Sequence, residues 1–294
     1  MRIPPVAGLV LAGAAVGWAA RHGTAPAVRD WRPGAGGTWR AGGLWVRAFG
    51  TGDPVIVLLH GLVAAGNCFG AGFDRLGACG TVVVPDLLGF GGSPAPPGTF
   101  TPAAQLDALT DMINGLGLSG CPIVVAGHSM GSVIALRWAA QGPGQIRGIV
   151  AFCPPLYRTR FETDARIREM GRMAAFLAGD GPLPRALCDW MCRHRSAASW
   201  LAVATQPELP VVQHSWETYR GSFEAILASP AWEPALRRLA AAAVPITFLE
   251  GARDAVPVPG RTAALAATLP HSTHRVHPDA DHYLPLTHAA WCAA

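Results

Sequence analysis

The sequence predicts an α/β protein with a mostly parallel central sheet, flanked by helices and carrying an inserted helical cap. Two observations support this prediction. Short, continuously apolar runs alternate with helical patterns before residue 154 and again after residue 242, and such alternation is typical of a parallel sheet covered on both faces. Between residues 154 and 242 the alternation stops and only helical patterns follow one another, which indicates an insertion.

The first half of the chain supplies strands and helices in a regular order. The runs TWRAGGLWVRAFG and DPVIVLLHG predict two strands, CFGAGFDRLGACG a short helix, and TVVVPDLLGFGGSPAP a buried strand that ends in a glycine-rich turn. Thr101 has the features of an N-cap with Pro102 in the first helical turn, and apolar residues follow at helical spacing. The strand CPIVVAG, a helix from Ser132 to Gln141 and the strand IRGIVAFC complete this half.

The rest of the chain divides into the cap and the end of the core. We assign residues 28–153 and 243–294 to the core and residues 154–242 to the helical cap. The aromatic and methionine residues of the cap either line an apolar pocket or form the cap's own core, and their helical spacing favours the second interpretation. After the cap, VPITFLEGARD predicts a strand, GRTAALAATL a helix and HRVHPDADH a last short strand.

Residues 1–27 form an apolar leader. No charge occurs from Ile3 to Ala20, and Ala25-Pro26-Ala27 supplies small residues of the kind that a signal peptidase needs. The run is rich in alanine and glycine, and arginines follow it on the side that would be translocated, which argues against export and anchoring. A cleaved signal, a membrane anchor and a plain extension therefore stay open, and with them an exported, membrane-associated or cytoplasmic location.

Composition and charge restrict the possible partners. Half of the 294 residues are hydrophobic and 14% are charged, which is enough for one large core. The net charge of +4 comes from arginines scattered along the chain, so we expect no nucleic-acid partner. Among the seven cysteines, Cys188 and Cys192 with His194 suit a metal or redox site. Packing of a tryptophan-rich helix is the favoured interpretation, and we expect no metal and no cofactor.

One serine lies between two glycines where a predicted strand gives way to a predicted helix, in Gly127-His128-Ser129-Met130-Gly131. The pattern Gly-x-Ser-x-Gly in this context is typical of a strained turn that exposes a nucleophilic serine. The glycines leave room for the turn, and the N–H of Met130 at the helix N-terminus is placed to bind an oxyanion. An inert tight turn is the alternative, because glycine-rich turns are common between strands and helices.

A serine nucleophile needs a base, and the base needs an orienting acid. Asp254 follows the strand ITFLEG, and His282 follows the last predicted strand. Both come just after a strand's carboxyl end, the edge where open α/β sheets place their sites. Either residue alone suits a surface loop, but together with Ser129 they favour a catalytic triad in the order serine, aspartate, histidine.

The turn after the strand DPVIVLLHG is the predicted source of a second oxyanion donor. His60 and Gly61 form this turn, and the N–H of Leu62 is the expected donor. His60 itself is expected to pack and form hydrogen bonds beneath the loop rather than to act as a base.

These motifs resemble the cap-bearing, serine-nucleophile branch of the α/β-hydrolase superfamily. The resemblance covers the chain from about Trp39 to its end and is based on four motifs: His60-Gly61, the turn DLLGFGGS from Asp86 to Ser93, the serine pentapeptide, and the pair of Asp254 and His282. It implies the α/β-hydrolase fold, and it implies that Asp86, Gly89 and Gly91 shape a loop beside the site. Superfamily members with an aspartate nucleophile are disfavoured because Ser129 occupies that position.

The resemblance and the triad together predict a hydrolase for a small or medium carboxylic ester, acting through an acyl-enzyme without a cofactor. Carbon–carbon bond hydrolysis and acyl transfer to another acceptor use the same triad and stay open. A non-catalytic protein that holds an apolar ligand is an alternative of another class. Membrane association through residues 1–27 is a further possibility, and the oligomeric state is not determined by the sequence.

Overall fold

The fold is known from a computed structural model that describes residues 36–194 and 214–294. The predicted leader, residues 1–27, lies outside these ranges, as does Trp200 of the predicted cap. Within the described ranges, no helix combines the length and apolarity that crossing a membrane requires.

Eight strands form one central sheet. They are β1 (Gly37–Ala41), β2 (Leu44–Phe49), β3 (Val55–Leu59), β4 (Thr81–Pro85), β5 (Ile123–His128), β6 (Ile146–Phe152), β7 (Ile246–Gly251) and β8 (Ser272–His277). Their order across the sheet is β1-β2-β4-β3-β5-β6-β7-β8. The first two strands pair antiparallel, β2 is antiparallel to β4, and all other pairs are parallel. The predicted mostly parallel sheet is therefore confirmed.

Helices follow most of the strands. The α-helices of the described ranges are α1 (Pro102–Gly115), α2 (Met130–Ala139), α3 (Arg160–Glu169), α4 (Arg172–Leu177), α5 (Pro182–Arg193), α6 (Trp216–Ser222), α7 (Trp232–Ala241), α8 (Arg261–Thr268), α9 (Leu284–Thr287) and α10 (Ala289–Cys292). Short 3-10 helices cover Gly66–Cys68, Ala71–Ala78 and Pro143–Gln145, and a π-helical turn covers Phe223–Leu227. Thr101 caps α1 as predicted, because its hydroxyl oxygen accepts a hydrogen bond of 3.0 Å from the N–H of Ala104.

The inner strands of the sheet, such as β3, are buried on both faces, which explains why they are continuously apolar, whereas the edge strands β1 and β8 are largely exposed. In β3, Val55, Val57 and Leu59 belong to one hydrophobic core, while Ile56 and Leu58 belong to another. Since successive strand residues point to opposite faces, the two cores lie on opposite sides of the sheet. Helices α1, α2 and α7 contribute to the first core, and the 3-10 helix Ala71–Ala78 and α9 to the second.

The run TWRAGGLWVRAFG is one place where the structure differs from the prediction. It forms the hairpin of β1 and β2 instead of one strand. Gly42 and Gly43 make the turn with φ values of 55° and 80°, a left-handed conformation that glycine adopts without strain and that tight hairpins require. Helix α2 also begins at Met130, two residues before the predicted start at Ser132.

The region from residue 154 to residue 242 contains helices α3 to α7. In its described part, the β-structure is a single bridge between His214 and Phe90. Helix α7 packs against α2, and its Trp232 and Leu239 are buried in the main core. The division into a core of residues 28–153 and 243–294 and a cap of residues 154–242 stays a prediction.

Candidate active site

Ser129 lies in a strained turn between β5 and α2. Its φ of 52° and ψ of −119° are unusual for a residue with a side chain, and such strain is characteristic of functional sites. The turn is tight because the flanking glycines touch neighbouring backbone. A Cβ on Gly127 would overlap with the carbonyl of Gly131, and a Cβ on Gly131 would overlap with the carbonyl of Leu59. The pentapeptide therefore needs glycine at both ends.

The structure brings Ser129, His282 and Asp254 into one chain of hydrogen bonds. His282 Nε2 lies 2.9 Å from Ser129 Oγ, and His282 Nδ1 lies 3.0 Å from Asp254 Oδ2. With Nδ1–H donating to the carboxylate, Nε2 is free of a proton and accepts from the serine hydroxyl. The three residues follow β5, β7 and β8, whose carboxyl ends share one edge of the sheet. This is the edge at which the sequence places them.

Asp254 is held as a carboxylate although its side chain is almost fully buried, with 1% of its surface exposed. Burial alone would raise the pKa of this group, but the charge and the hydrogen bond of His282 lower it, together with the N–H of Val256, which donates to Oδ1 at 2.8 Å. The net effect is a pKa below the usual value for aspartate. A buried anion at this point both orients the imidazole and stabilises its protonated form.

His128 is a positioning residue that sequence reasoning missed. Its Nε2–H donates a hydrogen bond of 2.7 Å to the backbone carbonyl of His282, and the two rings lie 4.9 Å apart. Burial, with a smaller effect from His282, lowers the pKa of His128 to about 3. The ring is therefore neutral and fixes the loop that carries His282. No local signal in the sequence links two residues separated by 154 positions.

A pH-dependent loss of stability follows from the buried, neutral His128. The unfolded chain binds a proton here below about pH 6.5, whereas the folded chain does so only below about 3. The free energy of unfolding therefore falls as the pH drops through this window. We expect the wild type to lose about 2 kcal/mol more than His128→Gln between pH 7 and pH 5, at about 1.4 kcal/mol per pH unit below the unfolded pKa.

Urea denaturation of both proteins at the two pH values measures this difference. His194→Gln is the matched control, because His194 is an exposed histidine of the described chain. Equal pH dependence of the wild type and His128→Gln would contradict a neutral, buried His128.

The turn after β3 lies against Ser129. A Cβ on Gly61 would come within 3.3 Å of Ser129 Cβ, so the backbone of Gly61 and Leu62 borders the serine. His60 is completely buried. Its Nε2 accepts from the N–H of Leu87 at 2.8 Å, and its Nδ1–H donates to the Gly61 carbonyl at 2.8 Å. His60 thus supports the turn from beneath, and both of its ring nitrogens are bonded to backbone groups of Gly61 and Leu87.

The turn from Asp86 to Ser93 is tied to the same region by the Asp86 carboxylate. Its two oxygens accept hydrogen bonds from the N–H groups of Gly66, at 2.7 Å, and Gly92, at 2.8 Å. Gly91 has a φ of 56°, and a Cβ on it would overlap with this carboxylate. Asp86 and Gly91 therefore fix the conformation of this loop.

Two groups of side chains in the described ranges have the composition and spacing of a metal site. One is Cys153 with Asp254 and His282. Its carboxylate and imidazole are already bonded to each other, and burial raises the pKa of the Cys153 thiol well above its usual value, so this group suits proton transfer better than an ion. The other group is Cys188, Cys192 and His214. The histidine beside the two thiols is thus His214, whereas the sequence analysis paired them with His194.

Comparison with known proteins agrees with the fold. A family model described as the alpha/beta hydrolase family matches residues 56–294. The chain belongs to the alpha/beta hydrolase family. Within this family it is 27% identical over 256 residues to the pimeloyl-(acyl-carrier protein) methyl ester esterase of Chromobacterium violaceum, an alignment that covers 83% of the chain and 93% of that relative.

Solved structures of alpha/beta hydrolases resemble the chain over most of its length. An esterase from Thermogutta terrifontis, with malate bound, superposes with a TM-score of 0.63 at 26% identity, covering 85% of the chain and 90% of the esterase. A bromoperoxidase from Bacillus anthracis superposes with a TM-score of 0.66 at 19% identity, covering 87% and 97%, and this likeness concerns the fold alone. Together the comparisons support a hydrolase.

Proposed function

We propose that this hydrolase cleaves carboxylic esters through a serine nucleophile and an acyl-enzyme. The observation that carries the proposal is the chain of hydrogen bonds from Ser129 through His282 to Asp254, at 2.9 Å and 3.0 Å. The similarity to a methyl ester esterase and to a bacterial esterase supports an ester as the substrate.

The geometry suits a two-step acyl transfer. His282 Nε2 takes the proton of Ser129 as the serine oxygen attacks the ester carbonyl, and the resulting imidazolium returns a proton to the departing alcohol. Water, activated by the same histidine, then attacks the acyl-enzyme and releases the acid. Asp254 keeps the histidine in the required tautomer throughout, while His128 holds the backbone of His282 in place.

The N–H groups of Leu62 and Met130 are the proposed oxyanion donors. Met130 is the first residue of α2, and the first N–H groups of a helix have no partner within the helix. Leu62 follows Gly61, whose backbone packs against Ser129. Two such donors, preorganised in a site that excludes water, stabilise the charge that develops on the carbonyl oxygen.

Labelling with a fluorophosphonate tests the activated serine. We expect the wild type to acquire a phosphonyl group on Ser129, located by mass spectrometry of the labelled peptide, because only a deprotonated serine oxygen displaces fluoride at an appreciable rate. The labelling rate should fall by a factor of about 1000 or more in His282→Ala and Asp254→Ala, as in other triads that lose their base or its orienting acid.

His288→Ala is the matched control, since this histidine lies between α9 and α10 and contacts the ring of His277. Its labelling rate should equal that of the wild type. A folded wild type that takes no label, or variants of His282 and Asp254 that label normally, would contradict the triad and favour a protein that binds an apolar ligand. Hydrolysis of p-nitrophenyl esters of increasing acyl length then defines the substrate.

A further inference from the structure

Two thiols and an imidazole converge in the predicted cap, away from the triad. Cys188 and Cys192 lie one turn apart on α5, so both side chains point to the same side of the helix. Cys188 Sγ lies 3.3 Å from His214 Nε2, and Cys192 Sγ lies 3.5 Å from Nδ1 and 3.7 Å from Nε2 of the same ring. Cys188 is buried, while the other two side chains are partly exposed.

We propose that Cys188, Cys192 and His214 bind one thiophilic divalent cation of the Zn²⁺ class. All ligand atoms of the group lie within 4.8 Å of one another. A tetrahedral ion with Zn–S bonds of about 2.3 Å and Zn–N bonds of about 2.0–2.1 Å places sulfur and nitrogen about 3.5 Å apart. The observed distances from His214 Nε2 to the two sulfurs, 3.3 Å and 3.7 Å, are close to this value. Cys192 Sγ also lies 3.5 Å from Nδ1, so its side chain has to rotate away from that atom to bind an ion held by Nε2.

Binding requires no oxidant. Each thiol loses its proton to solvent as a metal–sulfur bond forms, and the neutral imidazole donates a nitrogen lone pair. Two thiolates balance the charge of the divalent ion. Cys192 and His214 line an open cleft together with Asp189, Arg193 and Ser215, and a water molecule from this cleft would complete the tetrahedron.

The position of His214 gives such an ion a structural consequence. The backbone of His214 forms a β-bridge with Phe90, and the Phe90 ring contacts the ring of His60 at 5.6 Å. Phe90 belongs to the turn from Asp86 to Ser93. The N–H of Leu87 in this turn donates to His60, which precedes the Gly61 backbone that lies against Ser129. An ion held by α5 and His214 would therefore link the cap helix to a loop of the core.

Titration of the reduced, full-length protein with Co²⁺ tests the site. Co²⁺ replaces Zn²⁺ in tetrahedral sites, and thiolate ligands give it an intense charge-transfer absorption. We expect one Co²⁺ per chain, displacement of the cobalt by Zn²⁺, and an absorption per bound ion that falls by about half in Cys192→Ser, since one of the two thiolates is lost. Cys292→Ser, which removes a cysteine in α10, should leave the absorption unchanged.

The two histidines of the region form a matched pair of variants. His214→Ala should weaken Co²⁺ binding by more than about 100-fold, because removal of an outer-shell partner alone costs 10–100-fold. His194→Ala should bind normally, because the His194 ring lies against Trp190, at 5.4 Å. Circular dichroism of the metal-free variants verifies that they are folded.

A measurement on the wild type alone tests the proposal even if the variants fail to fold. Bound Zn²⁺ should slow alkylation of the partly exposed Cys192 by iodoacetamide and leave the exposed Cys79 unaffected. Absence of a charge-transfer band in the reduced wild type, unchanged alkylation with Zn²⁺, or loss of binding in His194→Ala instead of His214→Ala would each overturn the proposal.

Discussion

Replacing Ser129 and His282 together is expected to cost no more activity than replacing either residue alone. In the proposed mechanism the serine oxygen is a nucleophile only when His282, 2.9 Å away, removes its proton, and the histidine has no role without the serine. Ser129→Ala, His282→Ala and the double variant should therefore each lower kcat/KM for an ester by a factor of about 10⁴ to 10⁶. The residual activity comes from the oxyanion donors and from substrate binding.

Steady-state hydrolysis of one p-nitrophenyl ester by the three variants measures the effect. The activity of the double variant is the decisive measurement. If the losses of the two single variants multiplied in it, the two residues would act independently. His288→Ala serves again as the control and should retain the activity of the wild type. Thermal unfolding of each variant verifies that the differences do not arise from the amount of folded protein.

Replacing Gly131 by alanine is expected to destabilise the protein by several kcal/mol, although alanine is the better helix former. Gly131 is the second residue of α2, and its Cα faces the backbone carbonyls of Leu59 and His60. The gain in helix propensity is about 1 kcal/mol. The overlap of the new Cβ with two carbonyl oxygens in a rigid core outweighs this gain, since overpacking costs about 1–3 kcal/mol with flexible neighbours and more with backbone.

Gly120→Ala is the matched control, because a Cβ at Gly120 would have no heavy atom within 4 Å. Urea denaturation of both variants gives the free energy of unfolding. We expect Gly120→Ala to stay within about 0.5 kcal/mol of the wild type, as surface substitutions do. A Gly131→Ala protein of normal stability would mean that α2 can move away from β3, which would leave the position of the Met130 N–H undefined.

The sheet and the strained turn at Ser129 could be predicted because the residues that determine them are close together in sequence. Each strand buried on both faces is a continuous apolar run, and the pentapeptide around Ser129 contains the glycines that its own turn needs. The hairpin of β1 and β2 could also have been predicted, because a Gly-Gly pair between two strand-like runs is typical of a hairpin. The prediction of one strand overlooked Gly42-Gly43.

Contacts between distant segments could not be predicted in the same way. The sequence pairs Cys188 and Cys192 with the nearby His194, but that residue ends α5 and turns to Trp190. The histidine that reaches the thiols is His214, which returns to α5 after 20 further positions and is fixed by its bridge to Phe90. A bridge of this kind depends on tertiary structure. The helical or strand periodicity of a sequence does not reveal such contacts.

The hydrogen bond from His128 to the carbonyl of His282 has a consequence for how new specificities can arise on this scaffold. It couples the residue that precedes the nucleophile to the segment that carries the base, and Asp254 is fixed by the N–H of Val256 near the end of the neighbouring strand. These two contacts lie within the sheet and its adjoining loops, but helix α3 also reaches the Asp254 loop, because Arg166 donates from Nε and Nη2 to the carbonyl of Ala255 at 3.0 Å and 2.8 Å. The insertion can therefore diverge without disturbing the contact between His128 and His282, provided that the hydrogen bonds of Arg166 to the loop beside Asp254 are kept or replaced.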